Sequence, residues 1–327
     1  MLQIQAVAGR RTWLAGVFLL AVLAGCGRGD ALEGAASEPA SVVTHLARQL
    51  AEGDLTGFAR DAVTPDRHAA MARAWDQGDS LWPLTSLPLD EHLPGLLDSL
   101  AAADAERSLR RSFDTQLAGQ TANVRQTAQS LGLFGVQYVT HQGGYSPDQQ
   151  QHYRQLVEAL SQWAMQAPLA ERAPAHQAIA RLVAATAQTG LGGAAGLQAA
   201  GMTGALQALS PLQAAWMDVL AGYGLDIRAA LAGLQAGLLS EQGDRARVRV
   251  QYTLAGQTIR FEADMQKHAG RWYMTQNLAD ADGVLTAAQQ ARAARSSGDT
   301  QNTGATDMAE GDEAGRAPTN EQMAPGP

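Results

Sequence analysis

A chain of 327 residues can hold one large domain or two modest ones, with a real core in either case. Charged residues make up 17% and aromatics 5%, while Ala, Leu, Gly and Gln crowd the middle, which favours helices over a sheet-dominated fold. The formal net charge of -8, with Lys267 as the lone lysine, argues against nucleic-acid binding and against adhesion to anionic lipid through a basic patch, because such a surface repels phosphate groups.

Residues 1–25 have the three parts of an export signal: bases at Arg10 and Arg11, an uncharged run from Trp13 to Leu23, and small residues before a cut. The run is shorter than the roughly 20 residues a spanning helix needs, which predicts a removable leader. Leu23, Ala24, Gly25 and Cys26 resemble the lipobox of bacterial lipoproteins. The resemblance implies cleavage before Cys26, a diacylglycerol thioether on its sulfur and usually a third acyl chain on its new amino group; stable anchoring takes more than one chain. Gly27 stands where an Asp would resemble the inner-membrane retention signal. The expected address is therefore the outer membrane, lipid-anchored and facing the periplasm, with the inner membrane as the alternative. Cleavage leaves 22 of the 24 basic residues against 32 acids, a charge near -10. Cys26 is the single cysteine, so no internal disulfide and no CxxC pair can form.

Residues 26–37 read as the lipidated cysteine and a flexible linker, and 38–240 as a helical region. A first helix starts near Pro39, carries Val42, Val43, Leu46 and Leu50 on one face and stops at Gly53. Thr64 and Pro65 open another. The stretch from Gly78 to Pro94 holds three prolines yet also Leu81, Trp82, Leu84, Leu87 and Leu89. It is either a lid packed across the core or an exposed interaction surface at Leu81, Trp82 and Leu84. Helical spacing continues through Leu97, Leu100, Leu109, Phe113 and Leu117, with Glu106 and Arg110 placed as an i,i+4 pair.

Ser146, Pro147 and Gln149 predict a capping box ahead of Tyr153, Leu156, Leu160 and Trp163, and Ser210, Pro211 and Gln213 repeat the pattern ahead of Trp216 and Leu220. The charge-free stretch from Leu182 to Met217 is too glycine-rich for a membrane span. It is expected to be a mobile segment or a set of tightly packed short helices. Asp226 should cap a helix carrying Ile227, Leu231, Leu234 and Leu238.

From residue 241 the hydrophobic period changes from 3.6 to 2. Ala246, Val248, Val250, Tyr252 and Leu254 alternate with polar residues, as do Ile259, Phe261, Ala263 and Met265, and Trp272 and Met274 open a third strand. The expected unit over 241–290 is an antiparallel β-meander with a closing helix, packed on the helical body as one α+β, mainly α, globular unit. A meander ending in a Trp-bearing strand is similar to small NTF2-like domains, a resemblance that covers about a tenth of the chain. Residues 291–327 lack the apolar area to offset ordering entropy and read as a disordered acidic tail.

Chemistry-bearing motifs are sparse. Gly78, Asp79, Ser80 and Leu81 spell the opening block of the GDSL hydrolases, but no strand precedes them and no histidine has an Asp three residues ahead of it; the serine is read as a turn residue. The histidines, His141 and His152 among them, form no metal-binding spacing, and no cofactor motif or catalytic set is drawn. Arg247, Arg249 and Arg260 share the polar face of neighbouring strands, either to hold an anionic ligand or partner carboxylates, or to be balanced by Glu262 and Asp264. The expectation is a non-catalytic module that binds an envelope protein or a cell-wall component, with a small-ligand module holding an apolar pocket between helices and sheet as the alternative.

Overall fold

The computed structural model describes residues 38–84, 92–141 and 145–309, with side chains through Arg295. The leader, Cys26, the linker, Leu87, Leu89 and the chain beyond Ala309 lie outside the described residues. Twelve helices and four strands follow one another here, mostly α with a small antiparallel sheet near the C-terminal end.

Helix α1 (Glu38–Glu52) buries Val43, Leu46 and Leu50, as its spacing predicts, and ends at Gly53, whose φ of 79° is open to glycine without strain. Short α2 (Leu55–Asp61) is capped by Asp54, whose Oδ1 accepts from Gly57 N at 2.7 Å. Thr64 and Pro65 open α3 (Pro65–Asp76). Helices α4 (Leu93–Ala101), α5 (Ala105–Gln116) and α6 (Thr121–His141) follow. The capping box ahead of α7 (Pro147–Gln166) is present in full: Gln149 N donates to Ser146 Oγ at 3.3 Å and Ser146 N to Gln149 Oε1 at 3.0 Å.

The charge-free segment is a set of packed helices: the end of α8 (Arg172–Thr189), α9 (Gly193–Ala199) and α10 (Gly201–Gly222). Leu197, Ala205 and Leu206 are fully buried there, and Trp75 of α3 donates its indole N–H to Leu197 O at 2.9 Å. The helix start expected at Ser210 is corrected. Pro211 lies inside α10, and Ser210 Oγ donates to Gly53 O at 2.7 Å instead of capping. A tertiary acceptor claims the hydroxyl, and the proline's missing N–H leaves only one turn without its bond.

Asp226 does cap α11 (Ile227–Ala232), but Leu234 and Leu238 are not helical. The sheet starts earlier than the sequence pattern, with β1 (Gln235–Gln242) ahead of β2 (Arg245–Leu254), β3 (Gln257–His268) and β4 (Arg271–Met274), in the order β1-β2-β3-β4. A bulge between Leu238 and Ser240 breaks the alternation of β1, which is why period 2 does not reveal it. Val250 pairs with Phe261 and Tyr252 with Ile259, and these side chains face inward.

The inner face of the sheet packs on α1, α7 and α11 to form one core, with Val43, Leu46, Leu156, Val248 and Tyr252 at its centre. A second core joins α3, α4, α8, α9 and α10, around Trp75, Leu97, Leu197 and Leu206. The closing helix α12 (Thr275–Ala309) seals this side. It crosses α3 and is held by Arg67, whose guanidinium clasps Asp282 at 2.7 and 2.8 Å, and by Arg292 and Arg295 on Asp79. The tail expected to be disordered from residue 291 is thereby corrected over its first part. The Ala-rich stretch after Leu285 carries the helix on past residue 291 from a turn already docked, and helix α12 extends to Ala309.

Candidate functional site

Of the two readings of Leu81, Trp82 and Leu84, a packed lid or an exposed interaction surface, burial favours the lid. Trp82 and Leu84 are each 4% exposed within the second core, and only Leu81 remains half-buried. The packed-lid alternative describes them, since two large apolar side chains lose more in water than a short loop loses by being fixed. Ser80 is 7% exposed and its Oγ accepts from Trp82 N at 3.0 Å, a local turn directly after helix α3.

The three arginines of the sheet do lie on its outer face, two of them paired to acids of the same chain and the third to a glutamine. Arg247 sits opposite Asp264 and reaches it at 3.1 Å, Glu262 at 3.3 Å and Asp148 at 3.8 Å. The Asp264 carboxylate keeps the Arg247 guanidinium more firmly protonated than usual. Arg249 reaches Glu262 at 3.9 Å, and Arg260 Nε donates to Gln251 Oε1 at 2.8 Å. The face is a self-balanced ladder of cross-strand pairs.

Two sites that sequence reading missed stand out. The first is a cleft of about 780 Å³ between α5, the link before it, and α8. Arg107, Arg110 and Arg111 recur along one side of α5, with Asp104, Glu106 and Asp114 among them. His176 of α8 closes the far wall: its Nε2 lies 3.0 Å from Asp114 Oδ1, and Arg172 Nε reaches the same oxygen at 3.3 Å. Phe113 sets its ring edge-on to His176, 6.4 Å between centroids, and Arg110 holds Glu106 and also donates to His176 O at 3.4 Å. The i,i+4 pair was legible; His176, 62 residues from Asp114, was not. Chemically the cleft offers guanidinium and carboxylate groups side by side, suited to ligands that carry both signs. Thr115 bears the one hydroxyl among its lining residues and donates it to Arg111 O at 2.8 Å.

The second is α6. Leu131, Leu133 and Phe134 are 64%, 66% and 65% exposed, and no charged residue stands between Arg125 and His141. This helix docks on α7 through a narrow face of Ala128, Gly132, Gly135 and Val139, where Ser161 Oγ donates to Ala128 O at 3.0 Å. A hydrophobic spacing with glycines on the docked side leaves large apolar residues outward, a pattern that period alone reads as an ordinary core face.

His141 is exposed at the end of α6, whereas His152 is buried and its Nε2 lies 2.9 Å from Tyr252 Oη. At the helix–sheet junction that aromatic cluster and its neighbours belong to one buried core. Among the described residues no group of three His, Cys, Asp or Glu is placed to hold a metal ion, and no helix is long and apolar enough to cross a membrane. No protein-family model, no curated protein and no solved structure matches the chain.

Proposed function

We propose that the protein is an envelope lipoprotein, held at the outer membrane by lipid on Cys26 and facing the periplasm, which works by non-catalytic binding of a protein or cell-wall component. The cleft between α5 and α8 is its binding site, and the observation that carries this reading is the mixed-charge lining of Arg107, Arg110, Arg111, Asp114 and His176 around one concavity. Peptide segments, including those of a cell wall, carry carboxylates and amines on one short chain, which is the complement such a lining needs. The leader and the sequence around Cys26 support the address.

Crosslinking in intact envelopes, followed by capture of the wild-type chain and of an Arg107→Glu, Arg111→Glu variant, tests the site. A partner recovered with the first and lost with the second is expected. Equal recovery with both, or neither a protein nor a cell-wall fragment captured, sinks the proposal. Mass spectrometry of the processed N-terminus tests the anchor separately.

A further inference from the structure

Among the described residues the outer face of α6 has no partner. Single exposed leucines are ordinary, but Leu131 and Phe134, three residues apart, share one side of the helix, and Tyr138 extends the row with its ring 6.1 Å from that of Phe134. Around them the outer side of the helix carries Asn123, Gln126, Ser130 and Gln137 and no charge. Among the described elements the helix packs on α7 alone as a principal neighbour.

We infer that α6 lies flat on the membrane surface that holds the Cys26 lipid, with Leu131 and Phe134 entering between the headgroups. The inference rests on the lipid-anchor reading above, and two observations single out lipid as the occupant. The first is reach. Twelve residue steps separate Cys26 from Glu38, the first residue of α1. Fully extended at about 3.5 Å per residue, they span roughly 40 Å. A domain of this size has a radius of gyration near 18 Å, so the tether keeps the body in contact range of the bilayer whatever its orientation.

The second is charge. A processed chain near -10 is repelled by anionic headgroups over most of its surface, and a face without charge approaches at the least electrostatic cost. Apolar side chains on such a face then gain by leaving water, as an interfacial helix does, and with no basic residues involved this gain is insensitive to salt. The glycines of the docked side serve the same end: by letting α6 approach α7 closely, Gly132 and Gly135 leave the large side chains no inward position.

The experiment uses the full chain, processed and lipidated, reconstituted in vesicles of phosphatidylethanolamine with phosphatidylglycerol. Because lipid occupies the sulfur of the single native cysteine, Ser130→Cys, three and four residues before Leu133 and Phe134, supplies the one free thiol for a fluorescent label; Ser240→Cys on β1 is the control. The label at position 130 is expected to be quenched by lipid-borne quenchers and protected from aqueous iodide, at low and high salt alike, and the label at 240 the reverse. Adding Leu131→Gln and Phe134→Gln should abolish the lipid quenching at 130 while the protein stays with the vesicles through its anchor. A lipidated protein whose position 130 is quenched by iodide as fully as position 240 overturns the inference and leaves the anchor standing. So does self-quenching between labels at 130, which assigns the face to a second copy. A bare Cys26 by mass spectrometry overturns the anchor reading, and this inference with it.

Discussion

The side chain of Gln155 on α7 makes both hydrogen bonds of a ladder position with the backbone of Arg260 on β3: Nε2 donates to Arg260 O at 3.0 Å and Oε1 accepts from Arg260 N at 3.0 Å. Strand β4 pairs with β3 only from Met265 to His268, so the first half of β3 is an open edge. One amide stands in for the missing strand, and Gln162 on the same helix reaches Gln257 farther along that edge at 2.5 Å. An uncovered edge invites pairing with another chain.

Gln155→Ala should cost about 1 kcal/mol by urea denaturation, the usual net worth of such bonds at a site water can reach. Amide exchange at Arg260 should accelerate more than at its neighbours in β2. Unchanged exchange would mean that the edge is protected by packing alone.

His152 is 1% exposed, bonded to Tyr252 Oη and stacked on Phe261 with 4.2 Å between ring centroids. His152→Phe keeps much of the volume but leaves the Tyr252 hydroxyl buried without this partner, at a cost of about 1–3 kcal/mol. Adding Tyr252→Phe should recover part of that loss, since two apolar rings need no hydrogen bond. A double-mutant cycle with strictly additive costs would show that the bond is not the reason for the pairing.

At Gly132 an added Cβ would lie 2.3 Å from Ser161 Oγ and 2.7 Å from its Cβ, so the helices themselves must part. Gly132→Ala raises intrinsic helix propensity by about 1 kcal/mol, yet it should destabilise the protein by about 1–3 kcal/mol through overpacking. Combining it with Ser161→Gly should restore most of the loss. A rise in melting temperature from the single variant would mean that α6 docks more loosely than its close approach implies.

Two carboxylates should respond to acid with opposite sign. The Arg60 hydrogen bond, aided by His45 and Gln49 against the opposing effect of burial, holds Asp61 well below the usual carboxylate range; its stabilisation is complete above about pH 4 and is lost as pH falls towards the depressed value. Asp61→Asn should therefore cost on the order of 1–3 kcal/mol at neutral pH, with the gap closing in acid. Burial pushes Asp280 up, against the bond from Gln276. Its contribution is full below the ordinary carboxylate pKa and falls as pH rises through the raised value, so Asp280→Asn should stabilise at neutral pH and match the wild type in acid. Melting curves across pH that moved in the same direction for both variants would contradict this assignment.

The β2–β3 and β3–β4 turns place Ala255 and Ala269 at φ of 49° and 48°, each followed by a glycine at 80°. That is the backbone of a type I′ turn, which favours Asn before Gly, and an alanine there carries left-handed strain of about 1 kcal/mol. Ala255→Asn and Ala269→Asn should each raise stability by about 0.5–1 kcal/mol. Calorimetry showing no gain at either turn would count against the strain.

Caps, first-turn prolines and regular alternation were readable without coordinates, because each depends on a few adjacent residues. Thr64, Ser146 and Asp226 cap as their neighbours require, and β2, β3 and β4 follow their own period. Failures came where a distant group intervened. Gly53 takes the Ser210 hydroxyl from its cap, the bulge near Leu239 scrambles the phase of β1, and Asp79 holds Arg292 and Arg295 of α12 where composition suggested a loose tail.

The leader-like pattern of residues 1–25, the resemblance around Cys26, the net charge and the mostly helical α+β composition belong to the chain as a string, since they need no long-range contact to be read. Which apolar residues are hidden and which face outward belongs to the folded molecule. Trp82 and Leu84 are buried and Leu131 and Phe134 are not, although all four lie in apolar stretches, because inwardness depends on the shape of a neighbour such as Ser161 against Gly132. The meeting of Asp114 with His176, and of Gln155 with Arg260, has the same origin: helix packing joins residues that no local spacing connects.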